Sequence, residues 1–170
     1  MSRSKLAFLA AILAAPFLSA RSAHGQEALT LTGYGVRAGA SLDDELVQLL
    51  VGGHVDLGRP WQNVRIQPLA TLGLGDDALT LLVAGEAHYL FSVDPNRSRV
   101  DPYVGGGVGV HHVNFDEDDG DLDDSTEAVL LLTAGVDIPM RQWWKYFAET
   151  RFLIGDNAVF RVEGGVTWTY

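Results

Sequence analysis

The stretch AVFRVEGGVTWTY, residues 158 to 170, alternates in character at every step. Phe160, Val162, Val166, Trp168 and Tyr170 fall on one phase, and Val159, Arg161, Glu163, Thr167 and Thr169 on the other. Period two marks a β-strand with two different faces, because successive side chains point to opposite sides of the sheet. Chain ends normally lose regular pattern because few contacts hold them. This one keeps its alternation up to a final aromatic residue.

The same period runs through most of the chain. In ALTLLVAGEAHYLF (78–91), Leu79, Leu81, Val83, Ala87, Tyr89 and Phe91 share a phase, against Thr80, Leu82, Ala84, Glu86 and His88. In EAVLLLTAGVDI (127–138), Ala128, Leu130, Leu132, Ala134, Val136 and Ile138 oppose Glu127, Thr133, Gly135 and Asp137. Eight such segments occur, at 30–42, 46–58, 64–75, 78–93, 100–115, 127–139, 143–155 and 158–170. They are separated by LDDE, GRPWQN, GDD, DPNRSR, DEDDGDLDDS, PMRQ and GDN, all turn-forming. Most reach the ~9–11 residues a tilted strand needs to cross a bilayer. Long strands with hairpin-scale connections predict an all-β fold, an eight-stranded antiparallel up-and-down barrel.

A soluble barrel and a transmembrane one differ in which phase meets water. Here the polar phase collects both signs of charge: Arg37, Arg65, Lys145, Arg151 and Arg161 with Asp56, Glu86, Glu127, Asp137, Glu149 and Glu163. It also holds Gly33, Gly35, Gly39, Gly52, Gly73, Gly105, Gly107, Gly109, Gly135 and Gly165. Small residues beside mixed charges fit a narrow lumen packed with ion pairs, while the other phase is nearly uncharged. Apolar-out and polar-in is the pattern of a transmembrane β-barrel. His54 and His88 lie on the lumen phase, and the adjacent His111 and His112 must face opposite sides.

The N-terminus reads separately. MSRSK is basic, LAFLAAILAAPFL is a short apolar run, and SAHGQ offers small residues for cleavage. This is the pattern of a secretory signal peptide over residues 1–25, with a barrel domain over 26–170. Removing 1–25 takes three basic residues and no acids, leaving nine basic against 22 acidic and a net charge of −13. Such acidity argues against a nucleic-acid partner. The absence of cysteine excludes disulfides and thiolate metal sites.

Alternate turns sort by charge and ring content. With both termini on one rim, the far-rim connections hold Asp43, Asp44, Glu45, Asp76, Asp77, Asp116, Glu117, Asp118, Asp119, Asp121, Asp123, Asp124 and Asp156, with no Lys or Arg. The near rim holds Arg59, Arg97, Arg99 and Arg141, with Trp61, Trp143, Trp144, Trp168, Tyr89, Tyr103, Tyr146 and Tyr170 forming the expected interfacial girdle. Pro68 lies inside the third segment, where a bulge is expected because proline cannot donate to a ladder.

These features together resemble the small outer-membrane β-barrels of Gram-negative bacteria, the OmpA-barrel and OmpX-like class. The resemblance covers the whole mature chain and includes YVGGGVGV (103–110), YFAETRF (146–152) and the closing strand. It implies that Phe160, Val162, Val166, Trp168 and Tyr170 form a C-terminal signal for the barrel-assembly machinery. It also implies residence in the outer membrane among lipid and lipopolysaccharide. The short far-rim loops, apart from 116–126, depart from the adhesive members of that class.

No arrangement predicts an enzyme. Lipid-modifying barrels need a serine beside a histidine, and none of Ser41, Ser92, Ser98 and Ser125 stands at His-x-Ser spacing. No cofactor is expected. DEDDGDLDD fails calcium-loop spacing, since Phe115 would be the first ligand. It leaves Asp118, Asp119, Asp121 and Asp123 as a weak, shared divalent site. The expected role is structural, in membrane integrity or surface interaction, and the expected state a monomer. The alternatives are a narrow channel or carrier for small or hydrophobic molecules, and an exported soluble ligand-binding barrel.

Overall fold

The computed structural model describes residues 29–42, 47–75, 78–94, 99–115, 125–156 and 158–170. The expected signal peptide lies outside these residues. So does the far-rim acidic set except Asp156, including the candidate divalent residues Asp118, Asp119, Asp121 and Asp123.

Eight strands follow one another: β1 (Gly33–Leu42), β2 (Val47–Asp56), β3 (Val64–Leu74), β4 (Ala78–Leu90), β5 (Asp101–Phe115), β6 (Ser125–Arg141), β7 (Trp144–Ile154) and β8 (Ala158–Thr169). Each pairs antiparallel with the next, and β1 pairs also with β8, closing the barrel in the order β1 to β8. Tyr34 therefore stands between Val55 of β2 and Trp168 of β8. Closure leaves no sheet edge, so each strand has a hydrogen-bonded neighbour on both sides. The strand ends lie within a few residues of those expected. β6 begins earlier and ends later than expected, and a register shift lies between Pro139 and Arg141.

The strands bury one phase and expose the other, most regularly along β4, where Thr80, Leu82, Ala84, Glu86 and His88 are buried and Leu79, Leu81, Gly85, Ala87 and Tyr89 are exposed. The exposed phase is apolar: Val36, Leu49, Leu72, Leu81, Val108, Leu130, Leu132, Phe152 and Val162 all lie open. The buried phase includes Arg37, Asp56, Arg65, Glu86, Asp137, Glu149, Arg151, Arg161 and Glu163. This inversion of a soluble protein is stable only where the wall meets hydrocarbon.

The interior corrects three expectations. Pro68 sits in unbroken register opposite Gly85, without a bulge on its β4 side. On its β2 side the ladder stops at His54 and Leu69 and resumes with Leu57 N–H donating to Ile66 C=O at 2.9 Å. Proline's missing donor is met by a gap in the ladder, which the Gln67 side chain spans by donating to Asp56 Oδ1 at 2.6 Å.

Tyr103, expected in the girdle, is instead buried in the lumen, because it shares the inward phase of Gly105 and Gly107. Tyr34 occupies the outer wall, packed on Trp168 and Tyr170 with ring centroids 5.5 and 5.9 Å away.

The inward phase is also not polar throughout. Passing toward the far rim, Leu69 follows Gln67, Ala84 and Leu82 follow Glu86, and Leu131 and Val129 follow Thr133. Leu153 likewise follows Arg151, and Val159 follows Arg161. These residues form one buried apolar cluster between the charged network and the far rim.

Candidate functional site: the charged lumen

Large inward side chains need room, and glycine on the neighbouring strand supplies it. Glu86 and His88 of β4 face Gly107 and Gly105 of β5, and Tyr103 faces Gly135 of β6. A Cβ on Gly107 would stand 2.8 Å from Glu86 Cγ, and one on Gly135 2.7 Å from the Tyr103 hydroxyl. The glycines of YVGGGVGV thus let β4 side chains fill the lumen, and Gly135 of β6 does the same for Tyr103 of β5.

Arg151, fully buried, holds the centre of that space. Its Nε and Nη2 donate to Glu86 Oε1 and Oε2 at 3.1 and 2.9 Å. Nη2 also reaches Glu149 Oε1 at 2.6 Å, and Nη1 reaches Glu163 Oε1 at 2.6 Å. Arg37 bridges the same pair of acids, with Nη1 donating to Glu149 Oε1 at 2.9 Å and Glu163 Oε2 at 3.1 Å. Its Nη2 donates to Gln67 Oε1 at 3.1 Å. Two guanidinium groups therefore serve three carboxylates. Neutral donors hold the remaining lone pairs: the Tyr103 hydroxyl donates to Glu149 Oε2 at 2.7 Å, and Thr133 donates to Glu86.

A second cluster lies toward the near rim. Arg65 Nη1 and Lys145 Nζ both donate to Asp137 Oδ2, at 2.7 and 2.6 Å, and Lys145 approaches Asp56 at 3.9 Å. His88 joins the clusters. Arg65 Nη2 donates to its Nδ1 at 3.0 Å, so Nε2 is left to donate to Glu86 Oε2 at 3.2 Å. The His88 ring stacks on Tyr103 at 4.9 Å, and the Arg65 guanidinium lies 4.9 Å from the Tyr103 ring centroid. His54 bonds Thr167 at 3.0 Å and meets the edge of Phe147.

The eleven charges expected on the lumen phase all sit on it, but they do not form a single pairing. Glu127 accepts the Asp156 N–H at 2.8 Å and contacts His111 Nδ1 at 3.4 Å, beyond the apolar cluster. Arg161, two residues from Glu163 on the same face of β8, makes no ion pair with it. Glu163 is taken by Arg37 and Arg151, whereas among the described residues Arg161 Nη2 reaches only His111 Nε2, at 3.2 Å. His111 faces the lumen and His112 the opposite side, where it contacts Thr126. Gln67, Tyr103, Thr133 and His111 were missed as network members. Their signal was present, since each shares a phase with inward glycines or charges.

On β8, Phe160, Val162, Val166 and Trp168 all lie on the outer phase opposite Arg161 and Glu163, and Tyr170 ends the chain fully exposed. The arrangement can hold charge rigidly in a narrow space.

A closed, eight-stranded, apolar-walled barrel with a charge-filled lumen is a transmembrane β-barrel of the smallest class. Solved structures of that class are similar to it. Neisserial surface protein A and the N-terminal β-barrel domain of Pseudomonas aeruginosa OprF each align with a TM-score of 0.64 at 14% identity. Both alignments cover 82% of this chain, and 96% and 98% of those chains respectively. Ail, the attachment invasion locus protein of Yersinia pestis, aligns with a TM-score of 0.55 at 12% identity, over 82% of this chain and 97% of that one. At such identities the likeness is one of fold. No family model matches the chain, and no curated protein does.

Proposed function

We propose that this is a non-enzymatic outer-membrane protein of a Gram-negative bacterium, exported by a cleaved signal peptide, with a structural or surface-interaction role. The observation that carries the reading is the content of the lumen. Arg151 fills its centre with three carboxylates, and an apolar layer of Leu82, Leu131, Leu153 and Val159 stands between that network and the far rim. Eight strands enclose only enough space for side chains, and here both halves are occupied. A barrel built this way presents its outer wall and loops, not a passage. Its surroundings are membrane lipid and lipopolysaccharide, its route of insertion the barrel-assembly machinery acting on β8, and its state a monomer.

The narrow channel or carrier remains the competing reading, and conductance separates the two. Purified barrel in planar bilayers should give no stable conductance steps. Steps of porin size would overturn the proposal. Membrane fractionation addresses the soluble alternative, since protein released without detergent would contradict a membrane role.

A further inference from the structure

Four of the five lumen cations have a carboxylate partner. Arg37, Arg65, Lys145 and Arg151 each lie within 3.1 Å of one. Arg161 has none within ion-pair distance among the described residues, although only 1% of its surface is exposed. Its Nη2 reaches His111, while Nε and Nη1 are buried without a hydrogen-bond partner. The acid nearest through bonded contacts, Glu127, lies on the other side of His111 and is also engaged by the Asp156 N–H. Arg151, directly opposite Arg161 across β7 and β8, adds like charge.

A second donor stands beside these groups. Ser41 of β1 is the register partner of Arg161 on its other side and is buried. Its hydroxyl makes no side-chain hydrogen bond among the described residues, whereas its neighbour Gln48 is tied to Thr80 and to the Ala78 carbonyl. Register partners on one face of an antiparallel pair carry their Cβ atoms about 4.5–5.5 Å apart. The register thus places Ser41 on the adjacent strand beside Arg161, whose Nε and Nη1 are buried without a hydrogen-bond partner.

We propose that Arg161 and Ser41 bind a small inorganic monoanion of chloride size within the lumen. A water molecule would satisfy the donors but leave the buried guanidinium without an anion at hydrogen-bond distance, which is costly. The depth of burial of both residues favours a monatomic ion over a phosphate or carboxylate group. Such an ion would act as the missing counter-charge and make barrel stability depend on the anion supplied.

The test is the urea unfolding midpoint of the mature chain folded in phospholipid vesicles, with sodium chloride replaced by sodium gluconate at constant ionic strength. The wild type should show a saturable upward shift with chloride. Arg161→Met should lose that shift, and Ser41→Ala should weaken it. A wild-type midpoint indifferent to chloride, or a shift that persists in Arg161→Met, overturns the proposal. Should Arg161→Met fail to fold, bromide-soaked crystals of the wild type decide. An anomalous peak within hydrogen-bond reach of Arg161 supports the site, and its absence there rejects it.

Discussion

Arg151 and Arg161 are register partners across β7 and β8, yet among the described residues Arg151 is bonded to Glu86, Glu149 and Glu163 while Arg161 is bonded only to His111. The same side chain at neighbouring points of one wall thus has two electrostatic situations. One cation holds three acids together, and the other has no ion-pair partner among the described residues.

The first prediction concerns this asymmetry. Arg151→Met removes the guanidinium partner of Glu86 and leaves Glu149 and Glu163 to share Arg37, so it should destabilise the barrel by about 3–5 kcal/mol, the usual cost of breaking a buried ion pair from one side. Arg161→Met strands no carboxylate and should cost clearly less when measured in gluconate. Urea unfolding of both variants in vesicles measures the difference. Equal losses would mean that the pairing pattern does not govern stability.

Glycine placement gives a second. A Cβ at Gly107 would collide with the Gly85 carbonyl oxygen and lie 2.8 Å from Glu86 Cγ, whereas one at Gly85 meets nothing within 4 Å. Gly107→Ala should therefore cost about 1–3 kcal/mol, the range for overpacking a filled interior. Gly85→Ala should change stability little. Unfolding midpoints of the pair check both, and a Gly107→Ala barrel as stable as wild type would show that the lumen yields.

Closure predicts heat-modifiable migration. A barrel with β1 bonded to β8 satisfies its strand backbone internally, so SDS gains little by opening it at room temperature. Unboiled and boiled protein should run as separate bands on a gel. A single band for membrane-extracted protein would contradict a closed barrel.

The closing strand makes the last. Tyr170 ends the outer phase of β8, while the Thr169 hydroxyl donates to the Gln142 carbonyl at 3.1 Å. Changing Tyr170 to Asp should lower the amount of folded barrel in cells more than changing Thr169 to Asp. Quantifying the heat-modifiable band for each variant tests this, and equal yields would remove the assembly role assigned to that aromatic.

Much of this was readable in advance because strand facing is a local property. Side chains alternate sides at every residue, so the order Arg161, Val162, Glu163 already assigns two residues to the lumen and one to the wall. Eight segments, their near ends and the inward charges followed from that period alone. Tyr103 was legible by the same rule, through its phase with Gly105 and Gly107, but its position near a rim suggested a girdle residue.

Three features depended on the closed barrel. Arg37 finds Glu149 across 112 residues of sequence, a pairing set by strand register and by how eight strands curve shut. The apolar layer required Leu82, Val129, Leu131, Leu153 and Val159 to arrive at one place along the barrel from four separate strands, which no single strand's pattern records. Whether a buried cation meets an acid is a matter of distances across the lumen, so composition could count the charges but only the tertiary structure left Arg161 without a carboxylate. Alternation is carried by each strand's own backbone, whereas partnership is carried by the stagger between strands, and that stagger exists only once the barrel closes.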